Sequence, residues 1–216
     1  MPRQAKVSPF ASTMIDAECA VILGVVEKLR TSLSQDGEKA AESLAELLTR
    51  AGALIFPFFR KWAEEEPPKV RKTLVQAIAK AADPRDPFRA VFLFSLIEPL
   101  LWDDDPLVRK SARRALREKL LHVYPEEALE VLAQWTSDPE QEKKILAASL
   151  LPLLPEHMAK RALILLRNLA RTEEEKVRRA VLRSLEILKK RAPKAVEEEL
   201  KRWEVDPLLS SLLFRG

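Results

Sequence analysis

The sequence predicts an all-α fold, a right-handed α-α superhelix built as a solenoid of antiparallel helix pairs, and three observations predict it. The motif Trp-x-x-Asp-Pro occurs at Trp102, Trp135 and Trp203. Its copies recur at intervals of about 34 residues, with one register skipped between the last two, and that interval is the length of a helix hairpin. Four glycines and one tyrosine in 216 residues leave little material for hairpin turns or strand-rich sheets, while 47% hydrophobic residues suffice for a core.

Each part of the motif has a structural task. The tryptophan closes an apolar run at helical spacing, as in Ala128, Leu129, Val131, Leu132 and Trp135, so it belongs on the buried seam between helices. The aspartate accepts hydrogen bonds from the free N–H groups that open the next helix. Proline at the first helical position lacks only a donor that would be unpaired anyway. The skipped copy falls near Ala170, where Ala170-Arg171-Thr172-Glu173-Glu174 carries a small residue and a glutamate instead. A longer, degenerate copy begins at Trp62.

Apolar periodicity and these turns give a leader helix over 11–31 and a helix over 37–50. Pairs follow over 53–65 with 68–82, 87–102 with 106–122, 125–135 with 139–152, 156–171 with 174–191, and 193–203 with 207–214. Pro57 and Pro99 fall inside helical patterns and are expected to kink or shorten them. The whole chain, 1–216, reads as one α-solenoid domain. Residues 1–35 form an N-terminal capping region, 36–205 hold about five repeats, and 206–216 form a C-terminal capping helix.

Several chemistries lack their residues. Cys19 is the single cysteine, and no spacing of cysteine and histidine matches a structural zinc site. No secretory leader or membrane span is expected, because the apolar run from Ala20 to Val26 is short and flanked by Glu18 and Glu27. The chain is expected to be cytoplasmic and monomeric. His122 and His157 have no recognisable catalytic partner, and the four glycines stand alone rather than in a phosphate-cradling loop. Acidic runs such as Asp103-Asp104-Asp105 and Glu173-Glu174-Glu175 sit at helix starts, where the macrodipole favours them without a metal. Neither a cofactor nor a metal is expected, and no residue is assigned a catalytic role. The composition, rich in Lys, Arg and Glu with one asparagine, is thermophile-like.

The segment from Asp105 to Leu116, with Pro106, Val108, Arg109, Ala112 and Ala115, resembles the HEAT repeat. That resemblance implies a HEAT-like solenoid, in which such aspartates and arginines form a ladder along the stack. Trp135-Thr136-Ser137-Asp138 with Lys144, and Val177, Arg179, Ala180, Val181 and Leu185 followed by Pro193, resemble the last repeats of the DNA alkylation repair family of AlkD-type glycosylases. The resemblance covers about half the chain. It departs where that family does its chemistry. Arg183 stands at the family's last-repeat tryptophan, and Pro106 stands where its essential aspartate is expected after Trp102. The resemblance therefore implies little or no glycosylase activity.

Basic pairs follow the turns in successive second helices: Arg71-Lys72, Arg109-Lys110, Lys143-Lys144 and Arg178-Arg179, with Arg113 and Arg183 one turn further on. Stacked helices would align them into a stripe able to follow the phosphates of duplex DNA without reading bases. The net charge is +4, and the residues from Leu151 onward hold more than the whole excess. The alternative is that these basic residues pair with the acids of neighbouring caps. Three functions stay open from the residues: a DNA-binding solenoid with little or no catalysis, a scaffold that takes a protein or acidic peptide on its concave face, and an active alkylpurine glycosylase using Trp102 and one of Asp103 to Asp105.

Overall fold

A computed structural model describes the backbone of residues 24, 25, 27, 28, 30, 31, 37–206 and 209, and the side chains of these except 51–54. The leader helix expected over 11–31 and the terminal helix expected over 207–214 lie mostly outside the described residues. Within the described residues every regular element is helical. Contacts divide the chain into two compact units, one formed by 1–82 with 95–115 and the other by 83–94 with 116–216.

In the first unit, α1 spans Gly37–Glu65 and α2 spans Pro68–Ala81. The second half of α3 (Phe88–Leu101) and all of α4 (Pro106–Ala115) complete it. The expected break near residue 51 is absent, and α1 also runs through Pro57. Its apolar face explains why. Leu44, Leu48, Ile55, Phe59 and Trp62 are all buried at helical spacing on both sides of Gly52. Burial of five such side chains at about 1.5–3 kcal/mol each outweighs the roughly 1 kcal/mol cost of a helical glycine and the larger cost of one proline. Pro99 likewise lies inside α3 without ending it. Pro67 and Pro68 then make the turn to α2, with the Pro67 carbonyl accepting from the amides of Val70 and Arg71 at 2.9 and 3.1 Å. α2 packs against α1 and against α4.

In the second unit, a five-residue π turn, Leu116–Leu120, leads into the short α5, Leu121–Val123. Leu116, Leu120, Leu121 and Tyr124 are all buried across this stretch. Then come α6 (Pro125–Thr136), α7 (Gln141–Leu150), α8 (Ala159–Ala170), α9 (Glu175–Arg191) and α10 (Pro193–Glu204). Short 3-10 turns at Leu151–Leu153 and Glu156–Met158 shorten both α7 and α8 relative to the sequence reading. α6, α8 and α10 pack on one another in order, while α7 packs on α9, giving two layers of helices. Ser184 on α9 is buried with its hydroxyl 2.7 Å from the Ala148 carbonyl on α7 and 2.8 Å from that of Ala180.

Tyr124 fastens the loop that opens this unit. Its hydroxyl accepts from the Asp83 amide at 2.9 Å and donates to the Asp83 carbonyl at 3.0 Å. Burial pushes the phenol above its ordinary range. Tyr124→Phe leaves both backbone groups without their partner, so a loss of about 1–2 kcal/mol is expected in urea unfolding, with the helix content of the native state unchanged.

Candidate functional site

The turns that precede the second helices position the candidate residues, and the turn between α3 and α4 is the most fully bonded. Asp105 caps α4 as the sequence predicts, its Oδ1 accepting from the amides of Leu107 and Val108 at 2.8 and 3.0 Å. Asp103 is turned inward instead. Its carboxylate takes Arg71 in a bidentate pair, Nε to Oδ2 and Nη2 to Oδ1, both at 2.7 Å. Arg71 also reaches Asp104 Oδ1 at 2.8 Å and the Glu66 carbonyl at 2.6 Å. Arg71 and Asp103 are only 9% and 8% exposed, so this is a buried clamp between successive turns rather than a surface contact. Burial pushes the Asp103 carboxyl up, but the bonds from Arg71 and the Asp105 amide outweigh it and hold the group below the ordinary carboxylate range.

The other basic candidates divide by register. The fourth residue of each second helix is Arg71 in α2, Arg109 in α4, Lys144 in α7 and Arg178 in α9. Arg109 folds back on its own turn, bonding the carbonyls of Asp103 and Asp104. Lys144 reaches forward to Glu174 Oε1 at 2.9 Å, the same one-repeat step that Arg71 makes, and holds that carboxyl below its ordinary range. Arg178 is half-buried, and its side chain makes no hydrogen bond or ion pair among the described residues. Lys143 is not in register with the others. It binds Asp138 Oδ2 at 3.0 Å, while Asp138 Oδ1 accepts from the Glu140 amide at 2.9 Å. The aspartate therefore turns the chain three residues before α7 begins at Gln141, which corrects the sequence reading that placed Pro139 as the first residue of that helix.

The fifth position points outward: Lys72 in α2, Lys110 in α4 and Arg179 in α9 are exposed. Lys72 and Lys110 have no hydrogen bond or ion pair among the described residues, whereas Arg179 pairs with its own-helix Glu175. The ninth position corrects another expectation. Arg183 is exposed on α9, but its counterpart in α4 is Arg114. Arg113 lies over the Trp102 ring, 5.6 Å from its centroid. Trp102 is the partial exception among the motif tryptophans: Trp135 and Trp203 are buried, Trp102 is half-buried, and its indole N–H is buried without a partner. The outward residues that sequence reading missed, Lys69, Arg114 and Lys176, lie at i−3 and i+4 from the fifth position. Their signal was that spacing, once the fourth residue is fixed as the clamp.

His122 and His157 are both exposed. Among the described residues no three of His, Cys, Asp or Glu are grouped to hold a metal ion, and no helix is long and apolar enough to cross a membrane.

A search of solved structures returns a chain from crescerin, which uses a TOG domain array to regulate microtubules in the primary cilium. The likeness covers 88% of this chain and 89% of that one, with a TM-score of 0.60 and 14% sequence identity. This makes the fold an all-α, HEAT-like helical-repeat solenoid. An engineered protein from a structural genomics consortium also matches, over 88% of this chain and 94% of that one at 22% identity, but its TM-score of 0.39 is too low to bear on the fold. No family model matches the chain, and no curated protein does. The likeness to AlkD-type glycosylases is accordingly a likeness of repeat pattern, with the HEAT-like fold as its common ground.

Proposed function

We propose that this protein is a non-catalytic interaction scaffold whose partner is another protein, bound through basic outward faces of the second helices. The observation that carries this reading is that, within the second unit, α7 lacks the outward cations that α9 carries. Its residues at the second, fifth and ninth positions are Glu142, Ile145 and Ser149, where α9 has Lys176, Arg179 and Arg183. A duplex backbone rewards an unbroken run of cations, while a protein surface is matched patch by patch. Exposed apolar side chains favour a protein as well. Phe88 and Val91 stand one turn apart on α3, and Leu107 opens α4. Phosphates gain nothing from such contacts. The crescerin chain, itself part of an array that regulates microtubules, supports a protein partner for this kind of fold.

The duplex-DNA reading of the ten basic residues is the competing one, and its salt dependence tests it. Of Arg71, Lys72, Arg109, Lys110, Arg113, Lys143, Lys144, Arg178, Arg179 and Arg183, those without a bonded or ring partner among the described residues are Lys72, Lys110, Arg178 and Arg183. Ten phosphate contacts would give log K against log salt a slope of about −9, and four a slope no steeper than about −4. Measured by anisotropy with a duplex of about 20 base pairs, binding is expected to be weak at about 50 mM salt and to show the shallow slope. Tight binding with a slope near −9 would overturn the scaffold reading. Glycosylase activity is tested separately, by release of methylated purine from damaged duplex. None is expected, because Asp103 is held by Arg71 and Asp105 by the α4 amides.

A further inference from the structure

Helices α2 and α4 together carry eight basic residues and no acidic one. Arg71 and Arg109 are spent on the turn, Lys80 pairs with Glu42 at 2.9 Å and Arg113 covers the Trp102 ring, while the exposed Lys72 on α2 and Lys110 on α4 have no side-chain hydrogen bond or ion pair among the described residues. The two helices pack side by side, and the Arg71–Asp103 clamp joins the first turn of one to the residues just before the other, so their N-terminal ends adjoin. Packed helices lie about 8–10 Å apart, which places Lys72 and Lys110, both at the fifth position, within reach of one partner. Leu107, 62% exposed, gives this face an apolar anchor at its α4 edge.

We infer that this α2–α4 face is a docking site for an acidic, amphipathic helical segment of a partner protein, which seats carboxylates over Lys72 and Lys110 and an aliphatic side chain on Leu107. The inference rests on the scaffold reading and names its site and the chemistry of its partner. Charge complementarity chooses the occupant. Two helices with no acidic residue and two unpaired, exposed lysines repel a second copy of themselves but attract an acidic helix, and the apolar side of such a helix supplies the aliphatic contact to Leu107. The face is short: α2 has 14 residues, about 21 Å of helix, so an acidic helix of similar length covers it.

The test uses a fluorescein-labelled peptide of about 14 residues with a repeated Glu-Glu-Leu-Ala pattern, read by anisotropy against the full chain. Binding is expected at about 50 mM salt and is expected to weaken about tenfold or more in the Lys72→Glu, Lys110→Glu double variant. It is expected to change less than twofold in Arg179→Glu with Arg183→Glu, which keeps the α2–α4 face intact. Leu107→Ala is expected to weaken it about three- to tenfold, a loss that simple charge attraction would not show. Circular dichroism of each variant controls for folding, and all five positions are exposed. Equal weakening by both double variants, no effect of Leu107→Ala, or no peptide binding would each overturn the site. If the α9 variants alone abolish binding, the site fails while the scaffold reading survives. If duplex DNA binds tightly and is lost with Lys72→Glu and Lys110→Glu, both fail.

Discussion

Asp103→Ala is expected to destabilise the first unit by about 3–5 kcal/mol, seen as a lower urea midpoint and an earlier thermal transition. The cause is what remains after the substitution. Arg71 is 9% exposed and has its Nε and one Nη committed to that carboxylate, so removing Asp103 strands most of a buried guanidinium. Asp104→Ala is the control. Its side chain is 93% exposed, it takes one bond from Arg71, and its loss is expected to cost well under 1 kcal/mol. Replacing both members of the clamp, Arg71→Met with Asp103→Leu, is expected to recover much of the stability, since a buried pair offsets its own desolvation poorly. The pair also sets a pH dependence. Because the folded-state pKa of Asp103 is depressed, its contribution is complete above the unfolded value of about 3.9 and is lost as pH falls from there through the lower folded-state value. In Asp103→Ala that part of the acid limb is expected to disappear.

Trp203→Ala is expected to cost about 3–5 kcal/mol in the second unit, against about 1–2 kcal/mol for Trp102→Ala in the first. Trp203 has no exposed surface, and its indole N–H donates to Glu199 Oε1 at 3.2 Å. Glu199 is itself buried, at 4% exposure, and is neutralised by Arg167 at 3.0 Å and Arg202 at 3.2 Å. Removing the indole thus opens a cavity of aromatic size and withdraws one of the donors that hold a buried carboxylate. Trp203→Phe is expected to fall between, keeping the packing and losing the hydrogen bond. Trp102 is half-buried, with an unpartnered N–H and a guanidinium over its ring, so less is lost there. Equal costs at the two positions would contradict the distinction between a fully buried motif residue and a half-buried one.

The helix pairs were legible because each Trp-x-x-Asp-Pro turn is local. Capping by Asp105, the first-position prolines of α2, α4, α6 and α10, and burial of Trp135 and Trp203 all follow from neighbours within one turn. The continuity of α1 through Gly52 and Pro57 was not legible, since it depends on which apolar face another helix covers. Nor was the division among the basic pairs. Arg71 and Lys72 are adjacent in sequence, yet one is a clamp and the other faces solvent, and the deciding partner of Arg71 lies 32 residues away. Arg113 and Arg114 show the same limit. Both are exposed, and only the half-buried Trp102 ring settles which of them covers it and which stands in register with Arg183.

A competition experiment tests the choice of partner most directly. With the labelled acidic peptide bound to the protein at about 50 mM salt, unlabelled peptide and unlabelled duplex of about 20 base pairs are titrated in parallel, each counted by its negative charges. The peptide is expected to displace its labelled copy at a lower concentration of charge than the duplex, because Leu107 rewards an aliphatic side chain and a phosphate backbone offers it none. Displacement by duplex at equal or lower charge concentration would contradict a protein partner and return the basic residues to the phosphate backbone.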